Sequence, residues 1–118
     1  MDSILIVDDE EYILDLYQKE LRDEGYEVKL ARNNAEALKM AEKENINLVV
    51  LDIKLSGEED GLQTLTELKK QNKDLPVILN SGYSTYKNNF QTWLADAYLV
   101  KSSNLSELKN KIHSLLSR

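Results

Sequence analysis

Five short apolar runs recur along the chain, separated by residues that repeat at helical spacing. Residues 3–7 form the first run; Tyr12, Ile13, Leu16, Tyr17 and Leu21 then follow a helical period up to Gly25, a helix stop. Tyr26 to Ala31 alternates as a short strand, and Asn33 or Asn34 caps a second helix carrying Ala37, Leu38, Met40 and Ala41. Leu48 to Leu51 is the most apolar run, as expected of a strand covered on both faces. After the polar loop Ser56 to Gly61, a third helix carries Leu62, Leu65 and Leu68. Pro76 opens a fourth strand that ends in Ser81, a position where its missing N–H is tolerated. Ser84 starts a short fourth helix containing Phe90, Trp93 and Leu94, and Ala97 to Val100 is a fifth strand. Ser103 or Asn104 caps a last helix, with Leu105, Leu108, Ile112, Leu115 and Leu116 on its buried face.

Strands and helices alternating with short connections predict an α/β fold, a doubly wound parallel sheet. At 118 residues the chain reads as a single domain, residues 1–118, long enough to bury its own core. The formal net charge of −6 argues against direct nucleic-acid binding, which needs clustered Lys and Arg. There is no cysteine, which fits a reducing compartment. The first strand and Asp8 follow Met1 too closely for a signal peptide, and no apolar stretch approaches the ~20 residues of a membrane helix. The expectation is a cytoplasmic domain without a membrane role.

The strand ends carry the chemistry. Ile4 to Val7 runs into Asp8 and Asp9, Leu48 to Leu51 into Asp52, Val77 to Asn80 into Ser81, and Leu99-Val100 into Lys101. A parallel sheet gathers such ends along one edge, where folds of this kind bind ligands. Three acids so placed repel one another unless a cation sits among them, which implies a metal site. Each position also has a plainer reading. Asp8 and Asp9 could serve only as helix caps, Asp52 as a loop-starting acid, Lys101 as a solvated lysine, and Tyr98 as a half-buried strand tyrosine. His113, the single histidine, reads as a surface residue, and Trp93 as packing or partner contact.

In this order and at these separations, Asp8-Asp9, Asp52, Ser81 and Lys101 resemble the receiver domains of two-component response regulators over the whole chain. The resemblance implies a flavodoxin-like sheet with strand order 2-1-3-4-5. It implies that Asp52 is the phosphoacceptor, taking a phosphoryl group from a phosphohistidine of a sensor kinase or phosphotransfer protein. Mg2+ would be held by Asp9, Asp52 and the main-chain carbonyl of Lys54, with Asp8 in the same acidic pocket. Lys101 would pair first with Asp52 and then with the phosphoryl oxygens. Ser81 and Tyr98 would form the switch that alters a partner-binding face, read by a downstream protein or an attached output domain. The expected state is a monomer or a phosphorylation-dependent dimer. Apart from its own phosphorylation and dephosphorylation, such a domain is no enzyme.

Departures from the family pattern motivate an alternative, a degenerate receiver acting as a phosphorylation-independent scaffold. Ser56 and Ser102 stand where the family has prolines, the loop after Asp52 is longer by one residue, and the stretch from Ser81 to Lys101 is short. A cis bond before Ser102 would cost ~3 kcal/mol, so the Lys101 loop is expected to be trans or reshaped. A phosphohydrolase working through an aspartyl phosphate would need a second acid close after the nucleophile, where Lys54 stands. Tyr83 and Gly82 are expected to border the pocket and influence water access.

Overall fold

The computed structural model describes residues 1–53, 61–82, 94–102 and 104–117. The expectations for Lys54, Ser56 and the polar loop as far as residue 60, Tyr83, Phe90, Trp93 and the fourth helix starting at Ser84, and Ser103 lie outside them. The described elements are β1 (Ser3–Val7), α1 (Glu11–Asp23), β2 (Glu27–Ala31), α2 (Asn34–Lys43), β3 (Leu48–Leu51), α3 (Gly61–Gln71), β4 (Val77–Ser81), β5 (Ala97–Val100) and α4 (Ser106–Leu116). All four strand pairings are parallel, and the order is β2-β1-β3-β4-β5. This is the flavodoxin-like doubly wound sheet.

Alternation along the strands divides the core in two. Ile4, Ile6, Val50, Ile78 and Leu99 pack on one face against Ile13, Leu14, Tyr17 and Leu21 of α1 and Leu108, Ile112 and Leu115 of α4. Leu5, Val7, Val49, Leu51 and Leu79 pack on the other against Ala37 of α2 and Leu62, Leu65 and Leu68 of α3. Two covered faces explain why β1 and β3 are buried at every position, and apolar throughout except at Ser3, rather than at every second one. Burying each such side chain contributes roughly 1.5–3 kcal/mol, so this sandwich is the main source of stability.

The helix boundaries follow local chemistry. Gly25 takes a positive φ of 96° and, with Tyr26, returns N–H groups to Arg22 and Leu21, closing α1. Asn33 caps α2, its side chain accepting the Glu36 N–H at 2.9 Å. At the last helix the expected cap is displaced. Asn104 Oδ1 does accept the Ser106 N–H at 2.9 Å, but Leu105 intervenes as a buried, non-helical residue before α4 begins. The stripe expected on α1 is corrected too: Tyr12 is 66% exposed, and Leu14 is the buried residue instead.

Opposite the strand ends that concern function, a small polar clamp fixes the other edge of the sheet. Lys69 Nζ donates to the Leu75 carbonyl at 2.7 Å and to Asp96 Oδ2 at 2.9 Å, and the same oxygen accepts the Val77 N–H at 2.8 Å. The Asp96 N–H closes the arrangement on the Val77 carbonyl at 2.8 Å. This ties the end of α3 to the starts of β4 and β5.

Candidate functional site

Backbone bonds set the strand ends in a row. The Asp8 N–H donates to the Ala31 carbonyl at 3.1 Å, that of Asp52 to Val7 at 3.0 Å, and that of Lys101 to Ser81 at 2.7 Å. Asp8, Asp52 and Lys101 are thus each the first residue beyond a strand, fixed by the neighbouring strand. The described residues include no cis peptide bond, so the link from Lys101 to Ser102 is trans, as expected without a proline.

Their side chains meet around one ammonium. Lys101 Nζ lies 2.7 Å from Asp8 Oδ2, 3.2 Å from Asp52 Oδ2 and 3.7 Å from Glu10 Oε1. Asp8 and Asp52 are both buried. Burial alone opposes the lysine charge, but hydrogen bonding to Asp8 and the charges of Asp52 and Asp8 outweigh it, so the Lys101 pKa is raised. The plainer reading of Lys101 as a solvated lysine is thereby set aside. The other oxygen of Asp8, Oδ1, accepts the Glu10 N–H at 2.9 Å. That bond shapes the turn into α1, yet the N-cap residue is Glu10 and makes no side-chain cap bond, so capping does not account for the pair Asp8-Asp9.

Asp8, Asp9 and Glu10 bring carboxylate oxygens within 4.8 Å of one another, Asp9 and Glu10 facing solvent. Such a set of hard oxygen donors suits Mg2+ or Ca2+, and its accumulated negative charge is what a divalent ion relieves. Glu10 is the member that sequence reasoning missed. Its signal was adjacency: a third acid directly after Asp8-Asp9, at a turn that folds all three side chains toward one point.

Gly61 approaches the Asp52 segment from α3. Its N–H donates to the Ile53 carbonyl at 2.6 Å. A Cβ placed on it would strike the Asp52 carbonyl oxygen and lie 2.7 Å from Ile53 Cα, so only glycine fits. Thr64 secures the same helix by donating to Asn34 Oδ1 at 2.7 Å.

Ser81 is fully buried at the end of β4, and Val100 of β5 lies beside it in register. Tyr98 is half-buried, paired with Leu79 and packed against the α2–α3 side of the core. The structure therefore brings Asp8, Asp9, Asp52 and Lys101 to one edge, with Ser81 on the adjoining strand end. His113 lies exposed on α4, as the sequence suggested.

Comparison with known proteins gives a family and a fold match. Residues 4–113 match the family model described as the response regulator receiver domain. A putative NtrX-like response regulator of Rickettsia conorii is 46% identical over 84 residues, which cover 70% of this chain and 18% of that protein. The alkaline phosphatase synthesis transcriptional regulatory protein PhoP of Bacillus subtilis is 34% identical, covering 98% of this chain and 49% of its own. The chain thus spans half or less of these curated relatives. Among solved structures, the response regulator TrrA of Thermotoga maritima in complex with Mg2+–BeF superposes with a TM-score of 0.94 at 44% identity, covering 98% of this chain and 99% of that one. TrrA in complex with the histidine kinase ThkA gives a TM-score of 0.92 at 46% identity, with 98% and 99% coverage.

Proposed function

The chain belongs to the response regulator receiver domain family, and on that footing we propose that Asp52 accepts a phosphoryl group from a phosphohistidine of a sensor kinase or phosphotransfer protein. The observation that carries this reading is the Lys101 ammonium held between Asp8 and Asp52 at 2.7 and 3.2 Å. An attacking carboxylate and a phosphoryl group are both anionic, so transfer depends on fixed positive charge beside them. One Asp52 oxygen forms a P–O bond as the P–N bond to the donor imidazole breaks, and the bonding pair leaves on the imidazole nitrogen. Lys101 then exchanges its Asp52 contact for the new phosphoryl oxygens.

Asp8, Asp9, Asp52 and the Lys54 carbonyl are the groups proposed to hold Mg2+, with Glu10 beside them in the acidic cluster. When bound, the ion would supply further neutralisation of the negative charge that gathers there. The Mg2+–BeF complex of TrrA supports this assignment. Ser81 is proposed to bond a phosphoryl oxygen and Tyr98 to respond behind it, altering the face around β5 and α4. The TrrA–ThkA complex supports a histidine kinase as the donor. The greater length of the curated relatives supports a downstream or attached output partner. Catalysis is confined to the domain's own phosphorylation and dephosphorylation, in the cytoplasm. No described helix is long and apolar enough to cross a membrane.

The test is intact mass after incubation with a small-molecule phosphodonor, with and without Mg2+, beside Asp52→Asn. One phosphoryl adduct that needs both Mg2+ and Asp52 is the expected result. An adduct that persists in Asp52→Asn, or no adduct on a protein shown to bind Mg2+, would overturn the assignment.

A further inference from the structure

One strong polar contact in the core lies outside the acid pocket. Asn80 Nδ2 donates to the Tyr17 hydroxyl at 2.7 Å, joining β4 to α1 across 63 residues of chain. Both residues are buried, Tyr17 at 2% and Asn80 at 5% exposure. Along β4 the side chains alternate, so Asn80 follows Ile78 onto the α1–α4 face, while Ser81 follows Leu79 onto the other. A buried amide costs desolvation that an aliphatic residue at this position would avoid. The pair therefore needs a reason beyond filling space.

Its place in the fold supplies one. Asn80 directly precedes Ser81, whose carbonyl accepts the Lys101 N–H at 2.7 Å. Asn80 is also paired in register with Leu99, and Ser81 with Val100, so the end of β4 carries the end of β5 and the base of Lys101 with it. On the Tyr17 side, packing does not complete the job. Tyr17 and Asn80 border a cleft of about 270 Å³, walled further by Leu99, Leu105 and Leu108 and by polar Ser102, Asn104 and Glu107. Beside such a space, close packing cannot hold the strand end in place, and a directional bond can. Tyr17 also lies near enough to feel the charges of Lys101, Asp8 and Asp52.

We infer that Tyr17 and Asn80 are positioning residues: their hydrogen bond tethers the ends of β4 and β5 to α1 and so fixes Ser81 and Lys101 against the phosphoryl group. This rests on the phosphoacceptor reading of Asp52. Neither residue touches the reacting atoms; both act through Ser81 and Lys101.

The experiment separates tethering from mere stability. Tyr17→Phe strands a buried amide and is expected to lower stability and slow phosphorylation together. The double variant Tyr17→Phe/Asn80→Val replaces both partners by apolar groups, which restores stability because no buried polar group is left unpaired. It is nevertheless expected to take up the phosphoryl group several-fold more slowly than wild type, with Mg2+ affinity unchanged. Exchange of the Lys101 amide with solvent is expected to quicken in the same variant. A stable double variant that phosphorylates at the wild-type rate, or protects the Lys101 amide as well as wild type does, overturns the inference and leaves the Asp52 assignment standing. A wild type that takes up no phosphoryl group sinks the Asp52 assignment first, and this inference with it.

Discussion

Lys101 lies closer to Asp8 than to Asp52, at 2.7 Å against 3.2 Å. The cation is thus shared, and it leans toward the acid that is not the proposed phosphoacceptor. Removing either partner has unequal consequences. Lys101→Met leaves two buried carboxylates facing each other and is expected to cost about 2–4 kcal/mol. Asp8→Asn leaves the Lys101–Asp52 pair intact and is expected to cost less. Urea denaturation in chelator and in Mg2+ reads both, and a divalent ion is expected to recover part of the Lys101→Met loss. Equal costs for the two variants would contradict the shared-cation geometry.

Gly61 leaves no room for a side chain over the Asp52 backbone. The obstacle is main chain on both sides, which cannot rotate out of the way. Gly61→Ala is expected to destabilise by about 2–4 kcal/mol through forced backbone displacement. Because the displaced segment is that of Asp52, phosphorylation should fall even where the variant remains folded. Thermal melts and phosphodonor labelling at a temperature well below the melt check the two effects separately.

At the opposite edge of the sheet, Asp96 Oδ2 receives both Lys69 and the Val77 N–H. Asp96→Ala withdraws the acceptor from both donors and is expected to cost about 2–3 kcal/mol. Lys69→Met removes one of the two and is expected to cost about 1 kcal/mol. Neither variant should alter Mg2+ binding, since the clamp lies at the far end of the strands. A shift in Mg2+ affinity on titration would show that the two edges are coupled.

Burial raises the pKa of Tyr17, only partly offset by the hydrogen bond from Asn80. A group whose pKa is higher in the folded state stabilises fully below its unfolded value, about 10 for tyrosine, and loses that contribution as pH rises through the folded value. Wild type should therefore lose stability on the alkaline side more steeply than Tyr17→Phe. Urea midpoints taken from about pH 8 to about pH 11 measure this. Parallel curves would mean that the phenol ionises as easily folded as unfolded.

Strand boundaries were legible because apolar runs of four or five residues ended sharply in polar ones. β3 and β5 begin and end where the pattern placed them, at Leu48–Leu51 and Ala97–Val100. The α1 stripe was less so. Ile13, Leu14, Tyr17 and Leu21 face the core, while Tyr12, one residue earlier on the same helix, points to solvent; an aromatic at nearly the right spacing misled the period. Asp8, Asp52 and Lys101 could be grouped because parallel register aligns strand ends whatever the side chains are. The bond between Tyr17 and Asn80 could not. Tyr17 reads as one more core aromatic and Asn80 as a polar strand end, and only tertiary packing across 63 residues joins them.

Asp8, Asp52 and Lys101 come from three separate strands, and the last two lie 49 residues apart. Closing loops of that size is slow, and the contacts form only once the sheet itself has assembled. During synthesis the two acids emerge well before their cation does. A nascent or half-assembled chain therefore holds repelling carboxylates and no charge to receive a phosphoryl group. Chemical competence arrives late and all at once, so the domain cannot report a signal before it has finished folding.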